Sequence, residues 1–162
     1  MLAAFFVSSF GMIASPQISR MYFDSKHTEL IRFCRRITLI VWGCSLPLLF
    51  VLFVWREPLI TLAFGESFRV SAVPLAGLLI GQLVATFCCL TDPYLTMTGG
   101  QKKLSIIILL SAVLNLVLVL LFTPILGLLG PALALSISIS FWKLSALSAI
   151  WLKDGFWLGL TK

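Results

Sequence analysis

The sequence predicts an all-α fold, a polytopic transmembrane helical bundle, and three observations predict it. Sixty per cent of the 162 residues are hydrophobic and only 11% are charged, where an ordinary soluble domain carries about 25% charge. Apolar runs of about 20 residues recur, the length at which a helix crosses a hydrocarbon core of about 30 Å. In hydrocarbon the backbone must satisfy its own hydrogen bonds, which leaves helices or a closed barrel. These runs are too long and too continuous for the alternating strands of a barrel.

Five spans follow in chain order. The first covers 1–19; with no basic residue ahead of its apolar core, it does not read as a removable signal peptide. A connection over 24–36, DSKHTELIRFCRR, places Leu30, Ile31, Phe33, Cys34 and Ile37 at helical spacing with Lys26, Glu29, Arg32, Arg35 and Arg36 between them. That pattern predicts a short basic amphipathic helix lying along the headgroups. Its bland role is a topology anchor, and its sharper one is an electrostatic collector for an anionic lipid headgroup. The second span is 37–55, with Pro47 in its middle, and the third is 72–97. The fourth, 104–123, is ended by Pro124, and the fifth runs over 130–152.

Basic residues orient the bundle. Arg20, Lys26, Arg32, Arg35 and Arg36 lie between the first two spans, Lys102 and Lys103 between the third and fourth, and Lys153 and Lys162 in the tail. The opposite connections hold only Arg56 and Arg69, balanced by Glu57 and Glu66. Short loops rich in Lys and Arg stay cytoplasmic, so the amino terminus is expected outside and the carboxyl terminus in the cytosol. The net charge of +6 is accounted for by this topology and leaves a nucleic-acid partner nothing to explain. The partner that composition demands is the lipid bilayer. Cys34, Cys44, Cys88 and Cys89 show neither a disulfide framework nor a zinc-ligand spacing and read as small apolar residues. No cofactor or metal is called for.

Small residues mark helix contacts. Gly77 and Gly81 form a GxxxG spacing, and Ala132, Ser136 and Ser140 repeat it on the fifth span, patterns that let two helices approach closely. Asn115 and Gln82 read as interhelical hydrogen-bond clamps. Two charges lie within spans, Asp92 and Lys143. Charges there are costly and face a protein interior or a water-filled cavity. Lys143 stands ten residues before Lys153, about 15 Å of helix, farther than its side chain can snorkel. For Asp92 two readings stay open. It is an interfacial carboxylate capping a kink made by Pro93 and paired with Lys102 or Lys103, or it is a gate or ion-coupling carboxylate at a broken helix. Pairing with Lys143 would serve either.

Four motifs in order carry a resemblance: ASPQISRMYFDSKHTELIRFCRR (14–36), LITLAFGESF (59–68), AGLLIGQLVATF leading into LTMTGGQKKL (76–104), and VLNLVLVLLFTPILGLLGPALALSISI (113–139). Together they resemble the carboxyl-terminal part of polysaccharide-biosynthesis flippases, the Wzx-like branch of the multidrug/oligosaccharidyl-lipid/polysaccharide exporter superfamily. Pro131 stands where that family usually has Ala, and Asp92 matches no shared motif position. The resemblance implies part of a fold of two six-helix bundles. Five spans cannot make both, so the chain is expected to be a fragment or a half that works with a missing amino-terminal bundle or a second copy. It implies transport without bond-making, moving a polyprenyl-pyrophosphate-linked oligosaccharide across the inner membrane for cell-surface polysaccharide, O-antigen or lipopolysaccharide synthesis.

On that reading Arg20, Arg32, Lys103 and Lys143 are substrate-path candidates, because cations would neutralise the pyrophosphate. Asp92 is the ion-coupling or gate candidate, and Gly77, Gly81 and Asn115 serve packing. The alternatives are a multidrug/cation antiporter of the same superfamily, and a non-transporting assembly subunit or truncated remnant. An enzyme is disfavoured, since the chain has one histidine, His27, and no paired carboxylates within its spans.

Overall fold

A computed structural model describes residues 14–24, 27–67 and 72–154. Residues 1–13 of the expected first span lie outside it, as do Lys26, Arg69 and Lys162. Every element among the described residues is helical: α1 (14–23), α2 (His27–Val54), α3 (Arg56–Phe64), α4 (Ala72–Phe87), α5 (Thr91–Met97), α6 (Gln101–Leu126) and α7 (Leu129–Asp154). Three helices, within α2, α6 and α7, are long and apolar enough to cross a membrane. The α4–α5 pair makes a fourth candidate if it is one span bent by 44°.

Three boundaries differ from the expectation, each for a physical reason. Positions 27–36 of the amphipathic connection continue into the second span as one helix of 28 residues, His27–Val54. Neither proline nor glycine interrupts positions 27–42, so the backbone has no reason to stop where the composition changes. Helix α6 runs past Pro124 to Leu126. A proline forfeits its N–H bond, but its fixed φ suits a helix. The stop comes from Gly127, whose φ of 55° is open to glycine and strained for other residues. Finally, the third span breaks at 88–90, upstream of Asp92 and Pro93. Pro93 is the third residue of α5, where its missing N–H is one the helix start leaves unpaired anyway. The carbonyl it would clash with in a continuous helix, four residues back, belongs to Cys89, and that residue lies in the break.

Helix α7 holds the bundle together. A Cβ added at Gly81 would fall 2.8 Å from Ser136 Cα, whereas one at Gly77 would meet Ala132 Cβ and Leu133 Cδ2 at 3.7 and 3.6 Å. The backbones of α4 and α7 therefore touch where the glycines are. Ser136 Oγ lies 2.6 Å from the Gly77 carbonyl and 2.9 Å from that of Ala132, and donates its single proton to one of them. On the other flank Ser111 of α6 donates to the Ser138 carbonyl at 2.8 Å. Gly130 lets the α6–α7 hairpin close, since a Cβ there would lie 2.6 Å from the Phe122 carbonyl carbon.

One core cluster gathers at the basic end of the bundle: Ile18 of α1, Leu30, Cys34 and Val41 of α2, Tyr94 and Leu95 of α5, and Ala146 and Ile150 of α7 are all buried. Tyr94 is fully buried and meets Tyr22 edge to face at 6.2 Å. A smaller cluster pairs Leu49 with Leu79. Most of α6 turns its side chains outward, with Leu109, Leu116, Leu120 and Ile125 each more than half exposed. Apolar surface of that extent is foreign to a soluble monomer and suits a helix bathed in hydrocarbon.

Candidate functional site

The break between α4 and α5 builds the site. After Phe87 the chain turns over 88–90, and the Thr91 hydroxyl donates to the Cys88 carbonyl at 2.8 Å, tying off the turn. Helix α5 starts there and carries Asp92 in its first turn. Unpaired N–H groups and the positive end of the peptide dipoles favour a carboxylate at such a position. The Thr91 hydroxyl lies 3.4 Å from Asp92 Oδ1 on the same turn.

Lys143 reaches it from α7. Its Nζ lies 2.6 Å from Asp92 Oδ2, and the two side chains are 8% and 25% exposed. The ammonium also stands 4.7 Å from the centre of the Trp142 ring, a further stabilisation of a partly desolvated cation. Of the three lysines the sequence offers Asp92, Lys143 is the one used; Lys102 and Lys103 are exposed in the first turn of α6. Lys143 lies in helical register with the buried Ala132, Ser136, Ala146 and Ile150, so it projects inward with that stripe rather than toward a headgroup.

The other charged candidates do not join the pair. Arg20 on α1, Arg32 on α2 and Lys103 on α6 are exposed, and no hydrogen bond or ion pair links any of them to Asp92 or Lys143. Gly77 and Gly81 sit at the α4–α7 crossing described above. Asn115 departs from the clamp expected of it: its Nδ2 is buried with no hydrogen-bond partner. The four cysteines are free, with Cys44 exposed and the others buried. No group of three or more metal-ligating side chains converges among the described residues.

Lys153, counted in the sequence only as a topogenic charge, has a second role. Its Nζ donates to the Thr98 carbonyl at 2.5 Å and lies 5.2 Å from the centre of the Tyr22 ring. Thr98 follows α5, so Lys143 and Lys153 hold opposite ends of that short helix to α7. The available signal was the run Lys143, Ala146, Ile150, Lys153, with steps of three and four residues that place both lysines on one stripe.

These features define a chain helical throughout its described elements and suited to a membrane, with a part-buried carboxylate–ammonium pair at a broken helix. No protein-family model, curated protein or solved structure matches the chain.

Proposed function

We propose that this chain forms part of a flippase that carries a polyprenyl-pyrophosphate-linked oligosaccharide from the cytosolic to the outer leaflet of the inner membrane. In this reading its amino terminus faces outside and its carboxyl terminus the cytosol, and it works with a further bundle or a second copy. The observation that carries the reading is the Asp92–Lys143 pair, 2.6 Å long and largely buried at the α4–α5 break. A buried pair at a broken helix is a bistable element: made, it ties α5 to α7; parted, it frees an ammonium and a carboxylate to face a cavity. A pyrophosphate entering from the cytosol would compete with Asp92 for Lys143, and protonation or cation binding at Asp92 would release the lysine. Arg20, Arg32 and Lys103, exposed toward the basic end, would offer the anion its first contacts.

The same carboxylate supports a second reading, a multidrug/cation antiporter, in which Asp92 itself receives the cation. Substrate charge separates the two. An anionic substrate needs Lys143, whereas a cationic one needs Asp92 and tolerates loss of the lysine.

The test is surface-glycan display in cells that express the chain from its own locus, with Asp92→Asn, Lys143→Leu and the exchanged pair Asp92→Lys with Lys143→Asp. Membrane-inserted protein is quantified alongside. Flippase function requires both single variants to insert yet lose display by tenfold or more. If glycan display is untouched by both, the chain is an assembly subunit or a remnant. If the exchanged pair restores full display, the two residues form only a structural tie.

A further inference from the structure

We infer that the groove between α1 and α2 at the basic end is a binding site for the phosphodiester headgroup of an anionic glycerophospholipid, a resident lipid rather than cargo. The cavity is about 270 Å³ and is lined by Met21 of α1 with Glu29, Arg32, Phe33 and Arg36 of α2. It shares Arg32 with the transport reading, where that residue offers the cargo a first contact, but no hydrogen bond or ion pair joins it to the Asp92–Lys143 pair. The displacement arm of the test below separates cargo from resident lipid.

Depth comes first. The apolar helix within α2 is 27 residues long, about 40 Å at 1.5 Å per residue, and exceeds a hydrocarbon core of about 30 Å by some 10 Å. Its charged residues, Glu29, Arg32, Arg35 and Arg36, are confined to the first ten positions, so the surplus length lies at that end. That surplus is about seven residues at 1.5 Å each, so Arg32 stands just outside the core and Arg36 at its edge. Their side chains lean toward the amino-terminal end of the helix, where the lipid phosphates lie. Four residues apart on one helix, they are neighbours on one face, with Cβ atoms about 5–6 Å apart. Both are exposed, and their guanidiniums are free to converge on one phosphate with paired N–H donors.

Charge and polarity then choose the occupant. Two guanidiniums against the Glu29 carboxylate leave one net positive charge in the lining. A phosphodiester, with a single negative charge, matches that balance; a pyrophosphate would bring surplus charge up against Glu29. The remaining lining, Met21 and Phe33, is apolar and packs on the buried core cluster. Inorganic phosphate would gain nothing from those two side chains, whereas the glycerol and first methylenes of a lipid would lie on them.

The experiment is native mass spectrometry of the detergent-solubilised full chain titrated with phosphatidylglycerol or phosphatidylcholine. The expected result is retention of phosphatidylglycerol in preference to phosphatidylcholine. Each basic residue near an anionic lipid surface contributes about 1 kcal/mol. The double variant Arg32→Gln with Arg36→Gln should therefore bind about 30-fold more weakly. Arg56→Gln, the first residue of α3 beyond the far end of α2, should bind as the unaltered chain does. Equal affinity for the two lipids, or unchanged binding by the double variant, overturns the inference. So does displacement by a polyprenyl pyrophosphate at a lower concentration than the phospholipid, which would make the groove a cargo site. Should the double variant fail to fold, the unaltered chain is labelled with a photoactivatable phosphatidylglycerol. Adducts on peptides holding Met21 or Phe33 support the site, and their absence refutes it.

Discussion

Replacing Lys143 with methionine keeps most of the side chain's volume and strands Asp92 opposite an uncharged group. Replacing Asp92 with leucine strands the ammonium instead. Parting a buried ion pair by removing one member costs about 3–5 kcal/mol, because the remaining charge is left without a partner. The two halves are not equally buried: Lys143 is 8% exposed and Asp92 25%. The carboxylate also keeps the backbone support of a helix start, so Lys143→Met belongs at the low end, about 3 kcal/mol, and Asp92→Leu higher, about 4 kcal/mol. The double variant removes both charges and should cost well under the sum of about 7 kcal/mol, by about 2–3 kcal/mol.

The assay is reversible unfolding in mixed micelles, followed by far-ultraviolet circular dichroism, for the two single variants and the double. An ordinary interhelical hydrogen bond in a membrane protein contributes only about 0.6 kcal/mol. A coupling that small, or costs that add within about 0.5 kcal/mol, would refute the argument that charge burial governs this contact. A larger cost for Lys143→Met than for Asp92→Leu would refute its asymmetry.

Further outcomes follow from contacts elsewhere in the bundle. Gly81→Ala forces its methyl to 2.8 Å from Ser136 Cα and should cost about 1–3 kcal/mol by overpacking. Gly77→Ala makes ordinary contacts near 3.6 Å and should be nearly silent, so thermal melts of the two variants measure how locally α4 and α7 touch. Asn115→Leu removes a buried amide nitrogen that has no partner and should raise the stability of the isolated chain by about 1 kcal/mol. A loss instead would mean that Asn115 pairs with a second bundle, which cross-linking at that position would capture. Lys153→Met frees the Thr98 carbonyl and should raise amide exchange over α5 and the following turn while α6 stays protected.

Most of the fold was legible because its signals are long. The long, mostly apolar runs over 104–123 and 130–152 predict helices and both lie in helices, and the GxxxG of Gly77 and Gly81 lies where a small-residue stripe of α7 meets it. What escaped was local. The break at Cys88–Leu90 was placed at Pro93 itself, although a proline acts on the carbonyl four residues earlier. The continuity of 27–36 with the second span is hidden in the sequence because a change of composition is not a change of backbone. Asp92 and Lys143 are both legible as costly charges and their pairing as one option beside Lys102 and Lys103, but the sequence does not choose among the three. Asp92 and Lys143 are 51 positions apart, and the intervening chain makes two turns between helices whose geometry no spacing rule sets. Asn115 departs from its expected role because a buried amide nitrogen usually finds a partner, and this Nδ2 has none among the described residues.

Helix α5 is seven residues long, about 10 Å, and α7 grips it twice, by Lys143 on Asp92 and by Lys153 on the carbonyl of Thr98. Two pins set in one shaft cannot be drawn independently. A small rotation of α7 about its own axis swings both lysines the same way, so α5 would be let go at both ends in one movement. Tilting α5 alone would load one pin against the other. The stiffness of the segment therefore depends on direction: it yields to a twist of its neighbour and resists a pull on itself. Any process that bends the chain at 88–90 would run through the rotation of α7.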